Sequence, residues 1–314
     1  MAVLRGRIND YWTRGRRLLQ AMCLLLLAPL AQAEEILLVL SDISPSYERV
    51  QHAVMDTARV PARVSTLDQV EPLDSQNSLI VAIGSRACEQ MLRRYHPGTR
   101  LICSFLPSST FEQLTSTLLP GQKSDLISAV FIDQPLARQI RLARMIRPEA
   151  QVLGTALGQS SQSIKPALQD YAASEVFSLA LAEISASDNP IEALTPVLEQ
   201  SDIFLVIPDS SIFNRAISKW LLYLSLKNRV PVIGFSESYT NAGAAASVHS
   251  SPDQIGQQTG EWLNRIIAGE AVPSPAYPAY FEVSINPVAV RTLGLELPSA
   301  AAIQRRLARI EAAN

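Results

Sequence analysis

The chain has 314 residues, of which 47% are hydrophobic, and a formal net charge of −2 at pH 7. This length allows one large globular domain or two of ordinary size. A mildly acidic chain without a basic run excludes nucleic acid as an expected partner. The three histidines and three cysteines match no metal-ligand spacing, so we expect neither a metal nor another cofactor.

Residues 1–33 have the pattern of a cleavable secretion signal. A basic region at 14–17 precedes the apolar segment 18–30, and the sequence A-Q-A at 31–33 has the form of a cleavage site. An uncleaved anchor is the alternative, although the apolar segment is short for a bilayer span. We expect cleavage after Ala33 and a periplasmic protein that associates with a membrane only through a partner.

Two cysteines, Cys88 and Cys103, remain after this cleavage. The pattern places Cys88 in the first turn of a helix and Cys103 in the next strand, and an oxidising compartment permits a disulfide between them. Two buried free thiols are the interpretation that we favour, with the disulfide as the alternative.

Strands and helices alternate along the first part of the mature chain. The predicted strands are 35–40, 62–67, 78–83, 100–105 and 128–132. Helices are predicted from 45 to 59, from 84 to 95, and before the last of these strands. This order indicates a parallel α/β fold.

A second series of the same kind begins at residue 133. Its predicted strands are 151–157, 176–184, 203–207 and 230–235, and its predicted helices are 134–146, 189–199 and one with an apolar stripe over 213–224. We expect the last strand to lead into a polar loop at 236–243. Two sheets suit this number of strands better than one sheet of nine or ten.

The remaining chain contains shorter elements. A small-residue strand follows residue 244, and Ser251 caps a helix that Gly269 ends. A proline-rich linker at 273–278 precedes the alternating strand 280–285 and a short helix. We expect the amphipathic helix at 300–313 to be peripheral.

Ligands in open parallel sheets bind where the strands end. Ser41 and Asp42 end the first predicted strand. Two later strand ends are also polar, and their candidate residues are Asp209, Ser210, Ser211, Ser236 and Glu237. The sequence therefore predicts a small-molecule site at these ends.

Several segments then carry a family resemblance. They include D-I-F-L-V-I-P-D-S at 202–210, V-P-V-I-G-F-S at 230–236, N-A-G-A-A-A-S at 241–247, P-D-Q-I-G-Q-Q at 252–258 and F-E-V-S-I-N-P at 281–287. In this order, the segment 129–298 resembles the extracytoplasmic substrate-binding proteins of ABC transporters, in the branch that includes aromatic amino acid binders. The first hundred mature residues match only in outline.

The resemblance implies an α/β fold of the periplasmic binding protein type 1 kind, with two doubly wound parallel-sheet lobes joined by three crossovers. The implied parts are lobe 1 at 34–132 plus 245–272, lobe 2 at 133–236 plus 278–314, and crossovers near 131–134, 236–246 and 272–279. A ligand would be held between the lobes, which would close about the crossovers.

The resemblance also implies site residues in lobe 2. Asp209 matches an acidic residue that holds a ligand amine or hydroxyl, with a helix cap as the alternative. Gln159, Ser160 and Ser161 lie in a loop whose backbone amides suit a carboxylate, or they form an ordinary capped turn. Tyr239 is a further candidate, beside Ser236 and Glu237.

Lobe 1 would supply Gly84, Ser85, Ser104 and Phe105. Phe105 is a stacking wall for the ligand or a core side chain. One departure concerns Leu157-Gly158, where the family commonly has Tyr-Asn. Because that asparagine is a contact expected to recognise ligand, the ligand stays open, and an amino acid is only the default.

The segment G-F-S-E-S at 234–238 is similar to half of a nucleophile elbow, but the second glycine is missing. Between Ser236 and His249 the only acid is Glu237, which is adjacent to Ser236 and cannot orient the imidazole. The chain has neither G-x-G-x-x-G nor a phosphate-binding loop. We expect no catalytic residues, and a hydrolase is the remote alternative.

The combined interpretation is a periplasmic solute-binding protein that clamps a small polar ligand, amino-acid-like by default, and delivers it to an ABC permease. The alternative is a ligand-sensing or docking protein for a sensor kinase or receptor, without a transporter of its own. Both use the same cleft, so the sequence does not separate them.

Overall fold

The computed structural model describes residues 36–59, 61–70, 79–121, 124–209 and 211–313. The secretion signal predicted at 1–33 and the candidate Ser210 lie outside the described residues.

The first sheet has five parallel strands in the order β2-β1-β3-β4-β5. Its elements are β1 (Ile36–Leu40), α1 (Pro45–Thr57), β2 (Ala62–Thr66), β3 (Leu79–Ile83), α2 (Ser85–Arg93), β4 (Arg100–Leu106), α3 (Ser108–Leu118) and β5 (Ile127–Phe131). Strands β1 and β3 are apolar and buried along their whole length, as expected when helices cover both faces of a parallel sheet.

The second sheet has six strands in the order β11-β10-β9-β8-β6-β7, and only the edge strand β11 is antiparallel. The elements after β5 are α4 (Leu136–Ile146), β6 (Val152–Leu157), α5 (Lys165–Ser174), β7 (Ser178–Glu183), α6 (Pro190–Gln200), β8 (Ile203–Leu205), α7 (Arg215–Lys227), β9 (Val232–Gly234), α8 (Glu237–Ala242), β10 (Ala246–His249), α9 (Pro252–Ile267), β11 (Glu282–Ile285), α10 (Pro287–Leu293) and α11 (Ala300–Ala312). The fold class predicted from the sequence is therefore confirmed.

Each sheet has an apolar core on both faces. Helices α1 and α9 cover one face of the first sheet, and α2 and α3 cover the other. In the second sheet, α4, α5 and α11 cover one face and α6, α7 and α8 the other. We define lobe 1 as the first sheet with α1–α3 and α9, and lobe 2 as the second sheet with the remaining helices.

Helix α9 returns from the second sheet to lobe 1 and packs closely on α1. A Cβ on Gly256 would lie 2.5 Å from the Val50 carbonyl oxygen, and one on Gly260 would lie 2.6 Å from Thr57 Cβ. Both glycines therefore permit a helix–helix distance that a larger residue would prevent.

The chain passes between the lobes three times, after β5, after β10 and before β11. Strand β10 belongs to the second sheet, where it pairs with β9 and β11. The predicted start of the lobe 1 segment at residue 245 is therefore wrong, and this crossover follows His249. The small-residue composition of β10 did not reveal which sheet it joins.

The predicted loop at 236–243 contains the helix α8. Ser236 caps this helix by accepting a hydrogen bond from the Tyr239 amide at 3.3 Å, and Gly243 ends it with a φ of 128°. A helix of six residues is too short to show a 3.6-residue apolar period in the sequence.

Candidate functional site

A small cavity lies between the two lobes, where strands of both sheets end. Ser108 and Ser109 line it after β4, and Ser160 and Ser161 line it after β6. Because ligands of such sheets bind at the carboxyl ends of the strands, this cavity is the candidate site. Its volume is about 50 Å³, far below the roughly 300 Å³ at which ligand pockets begin. The lobes therefore have to separate before a solute can enter.

Asp209 joins two loops of lobe 2 and is only 4% exposed. Its Oδ2 accepts hydrogen bonds from the Gly158 amide at 3.2 Å and from the amide and hydroxyl of Ser161 at 3.0 and 2.7 Å. Its Oδ1 accepts hydrogen bonds from the amide and hydroxyl of Ser211 at 2.9 and 2.5 Å. We define these four residues as the Asp209 cluster, which fastens the loop after β6 to the loop after β8.

The Asp209 cluster favours an ionised carboxylate. Burial alone would raise the pKa of Asp209, but hydrogen bonds from Ser211, Ser160 and Ser161 outweigh burial and hold the pKa below its ordinary value. The amides of the β6 loop, which the sequence suggests for a ligand carboxylate, include those of Gly158 and Ser161 that already bind a carboxylate of the protein. In this conformation, these two amides are not free for a ligand.

The departure from the family pattern at position 158 has a structural counterpart. A Cβ on Gly158 would lie 2.8 Å from Ile212 Cγ1 and 2.9 Å from Asp209 Oδ2, which is closer than real Cβ contacts. The Asp209 cluster thus occupies the space that an asparagine side chain would need here. The next residue, Gln159, is exposed to solvent.

Lobe 1 uses three of its predicted ligand residues within its own fold. The buried Ser41 hydroxyl accepts a hydrogen bond from the Ala87 amide, in the first turn of α2, at 2.8 Å. The Ser104 hydroxyl is fully buried and lies 2.7 Å from the Thr259 hydroxyl on α9. The Gly84 amide donates to the Ser104 carbonyl at 2.8 Å. These groups hold α2, α9 and β4 together.

Phe105 has an unusual backbone conformation at the end of β4. Its φ is 61°, in the left-handed region, where the pairing register of β4 with β5 shifts. Its ring meets Tyr47 edge-on with a centroid distance of 5.9 Å. Asp42 is exposed and Ser85 is half-buried at the neighbouring strand ends. Phe105 is not among the residues that line the cavity in this conformation.

Cys88 and Cys103 form a disulfide, with their Cα atoms 5.3 Å apart. The preference for free thiols is therefore wrong, because the sequence does not show that the first turn of α2 lies against β4. The bond attaches α2, which begins at the end of β3, to the strand that carries Phe105. A disulfide of this kind suits an oxidising compartment.

The other lobe 2 candidates follow β9. Ser236 caps α8, and Glu237 is exposed on that helix. Tyr239 is buried in the core with its ring centroid 4.8 Å from that of Phe235 and its hydroxyl 2.6 Å from the Ser218 hydroxyl. Burial raises the pKa of Tyr239. Its hydroxyl faces α7, and Tyr239 is not among the residues that line the cavity in this conformation.

The part of the cavity nearest the crossovers is lined by residues that the sequence analysis did not select. We define this hinge-side chamber by Ser108, Asp133, Gln134, Gln139 and Tyr277. The amide and hydroxyl of Ser108 donate to Asp133 Oδ1 and Oδ2 at 2.7 and 2.6 Å. Burial raises the pKa of both Asp133 and Tyr277. Asp133 closely follows β5, so the strand-end rule that selected Asp209 could also have found it.

A chain of hydrogen bonds links the three crossovers behind this chamber. Arg138, which is 5% exposed, donates to both carboxylate oxygens of Glu311 on α11 and to Gln134 Oε1, each at 2.6 Å. Gln134 Nε2 donates to the Ser250 hydroxyl at 2.8 Å, and that hydroxyl donates to the Tyr280 carbonyl at 2.6 Å. Helix α11 is thereby tied to the crossovers, and the expectation that it is peripheral is wrong.

In the part of the chain that the structure describes, no group of three or more His, Cys, Asp and Glu side chains is placed to hold a metal ion. None of the described helices has both the length and the apolar character needed to cross a membrane.

Two α/β lobes, three crossovers and a cavity between the lobes define a fold of the periplasmic binding protein type 1 kind. A family model described as ABC transporter substrate binding protein matches residues 47–304. The chain therefore belongs to this family, whose members bind solutes and are not enzymes. No curated protein sequence matches the chain significantly.

Solved structures with this fold share little sequence with the chain. An open, ligand-free substrate-binding protein with adhesive properties from Clostridium difficile has a TM-score of 0.66 and 16% identity, over 85% of this chain and 96% of that one. A conserved domain protein from Vibrio cholerae gives 0.59 and 16%, over 88% and 98%. An ABC domain in complex with L-Trp from Streptococcus pneumonia gives 0.58 and 13%, over 87% and 98%. At these identities the likeness concerns the fold alone.

Proposed function

We propose that the protein is a periplasmic solute-binding protein that closes its two lobes on a small polar ligand and delivers it to an ABC permease. The observation that carries this proposal is the cavity between the lobes, because polar groups from both lobes and from the crossovers line it. Family membership supports it independently. No bond is made or broken in this function.

The cavity volume of about 50 Å³ leaves room for only a few water molecules. A solute would enter while the lobes are apart and would then be enclosed by closure about the three crossovers. Enclosure removes water from the ligand, so affinity depends on pairing each buried polar group of the ligand and of the cleft. Groups left unpaired in the closed cavity therefore report what the ligand must supply.

A thermal-shift screen of the purified protein tests solute binding. The panel contains amino acids, small peptides, amines, nucleobases, sugars and organic acids. A ligand that binds only the folded state raises the Tm, and the stabilisation grows with the logarithm of its concentration relative to Kd. We expect at least one class to raise the Tm, and small-angle scattering to show a decrease in the radius of gyration with the same ligand. A panel without any Tm increase contradicts this function.

The periplasmic location rests on residues 1–33, which have the composition of a secretion signal. Mass spectrometry of the protein from the periplasmic fraction would then give Glu34 as the first residue. Recovery of the chain with its first 33 residues from the membrane fraction would favour an uncleaved anchor.

A role in ligand sensing, with a sensor kinase or receptor as partner, is the second candidate. The observation that favours it is the Asp209 cluster, because it fills the space of the family's asparagine at position 158 and so alters a ligand contact. Crosslinking in cells separates the two functions. Ligand-dependent crosslinks to a permease support delivery, and crosslinks to a sensor domain support sensing.

A further inference from the structure

Gln139 lines the hinge-side chamber and has an unpaired, buried acceptor. Its side chain is 3% exposed, and its Nε2 donates to the Gln134 carbonyl at 2.8 Å. That carbonyl can only accept, so the orientation of the amide is fixed by its surroundings. The remaining atom, Oε1, is buried without a hydrogen-bond partner. A buried acceptor of this kind is unfavourable unless something outside the chain donates to it.

The charges around the cavity restrict what that donor can be. The lining residues include one carboxylate, that of Asp133, and no Arg, Lys or His. Each oxygen of Asp133 accepts one hydrogen bond from Ser108, and the carboxylate keeps capacity for a further donor. Burial raises the pKa of Asp133, so a nearby cation would stabilise its ionised form. A second anion here would be repelled by that carboxylate.

The lobe 2 side of the cavity also favours a ligand that donates hydrogen bonds. In many sites, loop amides at the start of a helix bind a carboxylate. Here the amides of Gly158 and Ser161 donate to Asp209. On the lobe 2 side of the cavity, few hydrogen-bond donors are therefore free to bind a ligand. On the hinge side, hydrogen-bond acceptors are free.

We propose that the hinge-side chamber binds a protonated amine of the ligand, with Gln139 Oε1 and Asp133 as its acceptors, and that the ligand needs no carboxylate. The ligand class is thus the small amines, with amino acids included through their amine. This inference rests on the proposed function, since it names the solute that the cleft would take. A water molecule in the chamber would also donate to Gln139, and the experiment separates it from an amine.

The test uses two sets of probes that share a carbon skeleton within each set. The first is phenethylamine, phenylalanine and 3-phenylpropionate, and the second is butylamine, norvaline and pentanoate. Thermal shift and calorimetry on the wild-type protein give the order of affinity. We expect the amines and amino acids to bind at least tenfold more tightly than the acids, because a hydrogen bond to a charged group has about this effect.

Gln139→Met is the matched variant, because it keeps the size of the side chain and removes the acceptor. Its control is Gln258→Met, since Gln258 is 4% exposed beside the third crossover and both its amide atoms are paired, with Ala279 and Tyr277. We expect Gln139→Met to weaken amine binding about tenfold to a hundredfold, and Gln258→Met to keep the preference for amines. Asp133→Asn provides a second variant, which should reduce the preference for amines over neutral alcohols of the same skeleton.

The outcomes are distinguishable. Amine preference that Gln139→Met and Asp133→Asn remove and Gln258→Met keeps supports the inference. Two results overturn the inference but leave solute binding intact: acids that bind as tightly as amines, and an amine preference that is unchanged in folded Gln139→Met. The same results are expected if the chamber holds only water. If neither these probes nor the wider panel bind, the proposed function itself is contradicted.

Discussion

The Asp209 cluster and the hinge-side chamber each place an aspartate near the end of a parallel strand, but they use it differently. Asp209 accepts hydrogen bonds on both oxygens from loops of its own lobe. Asp133 accepts one hydrogen bond on each oxygen from Ser108, and it lines the same chamber as Gln139, whose Oε1 is unpaired. A carboxylate whose oxygens each accept two or three hydrogen bonds from the protein holds the fold together, whereas one whose oxygens accept a single bond each keeps capacity for a ligand.

The pKa shifts of the two aspartates have opposite signs. The pKa of Asp209 is lowered, because its hydrogen bonds outweigh the effect of burial. The pKa of Asp133 is raised, because burial outweighs the hydrogen bonds from Ser108. At neutral pH, the ionised form of Asp209 therefore stabilises the folded state, and the ionised form of Asp133 destabilises it.

Asp209→Ala should have the largest effect of the changes considered. It leaves the Ser211 amide without an acceptor and reduces the Gly158 and Ser161 amides to their second acceptors, Ser161 Oγ at 3.1 Å and the Gly158 carbonyl at 3.3 Å. We expect the free energy of unfolding to fall by about 3 kcal/mol or more, since buried donors lose their partners. Urea unfolding followed by circular dichroism measures the change.

Asp209→Asn is the control for this variant, because it keeps the shape and one acceptor oxygen. It should lose less stability than Asp209→Ala. A folded Asp209→Ala protein with nearly unchanged stability and lost ligand binding would instead return Asp209 to the ligand site, as the family resemblance suggests.

The disulfide is the lobe 1 counterpart of the Asp209 cluster, since it also fastens a strand-end element to its neighbour. Cys88 and Cys103 are 15 residues apart in sequence, and a loop of that length gives about 3 kcal/mol in the chain-entropy description. The double variant Cys88→Ser, Cys103→Ser should lose this amount in urea unfolding. Reduction of the wild-type protein is the control and should give a similar loss; no loss in either would show that the bond is absent in solution.

Asp133→Asn should raise the free energy of unfolding, whereas Asp209→Asn should lower it. Removing a buried charge that lacks full compensation should raise the free energy of unfolding by about 1 kcal/mol at pH 7, as often occurs at functional positions. The Ser108 hydroxyl can reverse its role and accept from the new amide. Thermal unfolding without ligand measures this effect, and a clear loss of stability would mean that Asp133 is structural like Asp209.

The fold could be predicted largely from the sequence. Buried apolar strands such as 36–40 and 79–83, each followed by an amphipathic helix, are local patterns, and their alternation defines a parallel α/β protein. What could not be predicted depends on contacts distant in sequence. These include the sheet that β10 joins, the disulfide, and the ion pair of Arg138 with Glu311, 173 residues away.

The candidate site was predictable only in position. The strand-end rule pointed to Asp209 and the family resemblance to Ser160 and Ser161, and the last two line the cavity. It did not show that Asp209 is saturated by its neighbours, because this depends on how two loops meet. Gln139 lies within a helix, and its position in the sequence is typical of an ordinary residue on the buried face. Its unpaired oxygen becomes evident only from the hydrogen bonds of the folded structure.

The smallest expected effect is the pH dependence of stability in Asp209→Asn and Asp133→Asn. This measurement also gives the most direct comparison of the two aspartates. The ordinary aspartate pKa is 3.8. The contribution of Asp209 is present above 3.8 and is lost as pH falls through its lower folded pKa, so the deficit of Asp209→Asn should shrink below pH 3.8. The contribution of Asp133 is present below 3.8 and is lost as pH rises through its higher folded pKa. The advantage of Asp133→Asn should therefore appear only above pH 3.8.

Each such change amounts to about 1.4 kcal/mol for every unit by which a pKa is shifted. Urea unfolding of the wild-type protein and both variants from pH 3 to pH 7 would measure it. If the stability differences of the two variants change with the same sign over this range, the two carboxylates are equivalent and the contrast between cluster and chamber is wrong. If the signs are opposite, the position of the Asp133 transition can then be measured again with a bound amine, which should lower that pKa because a cation favours the ionised carboxylate.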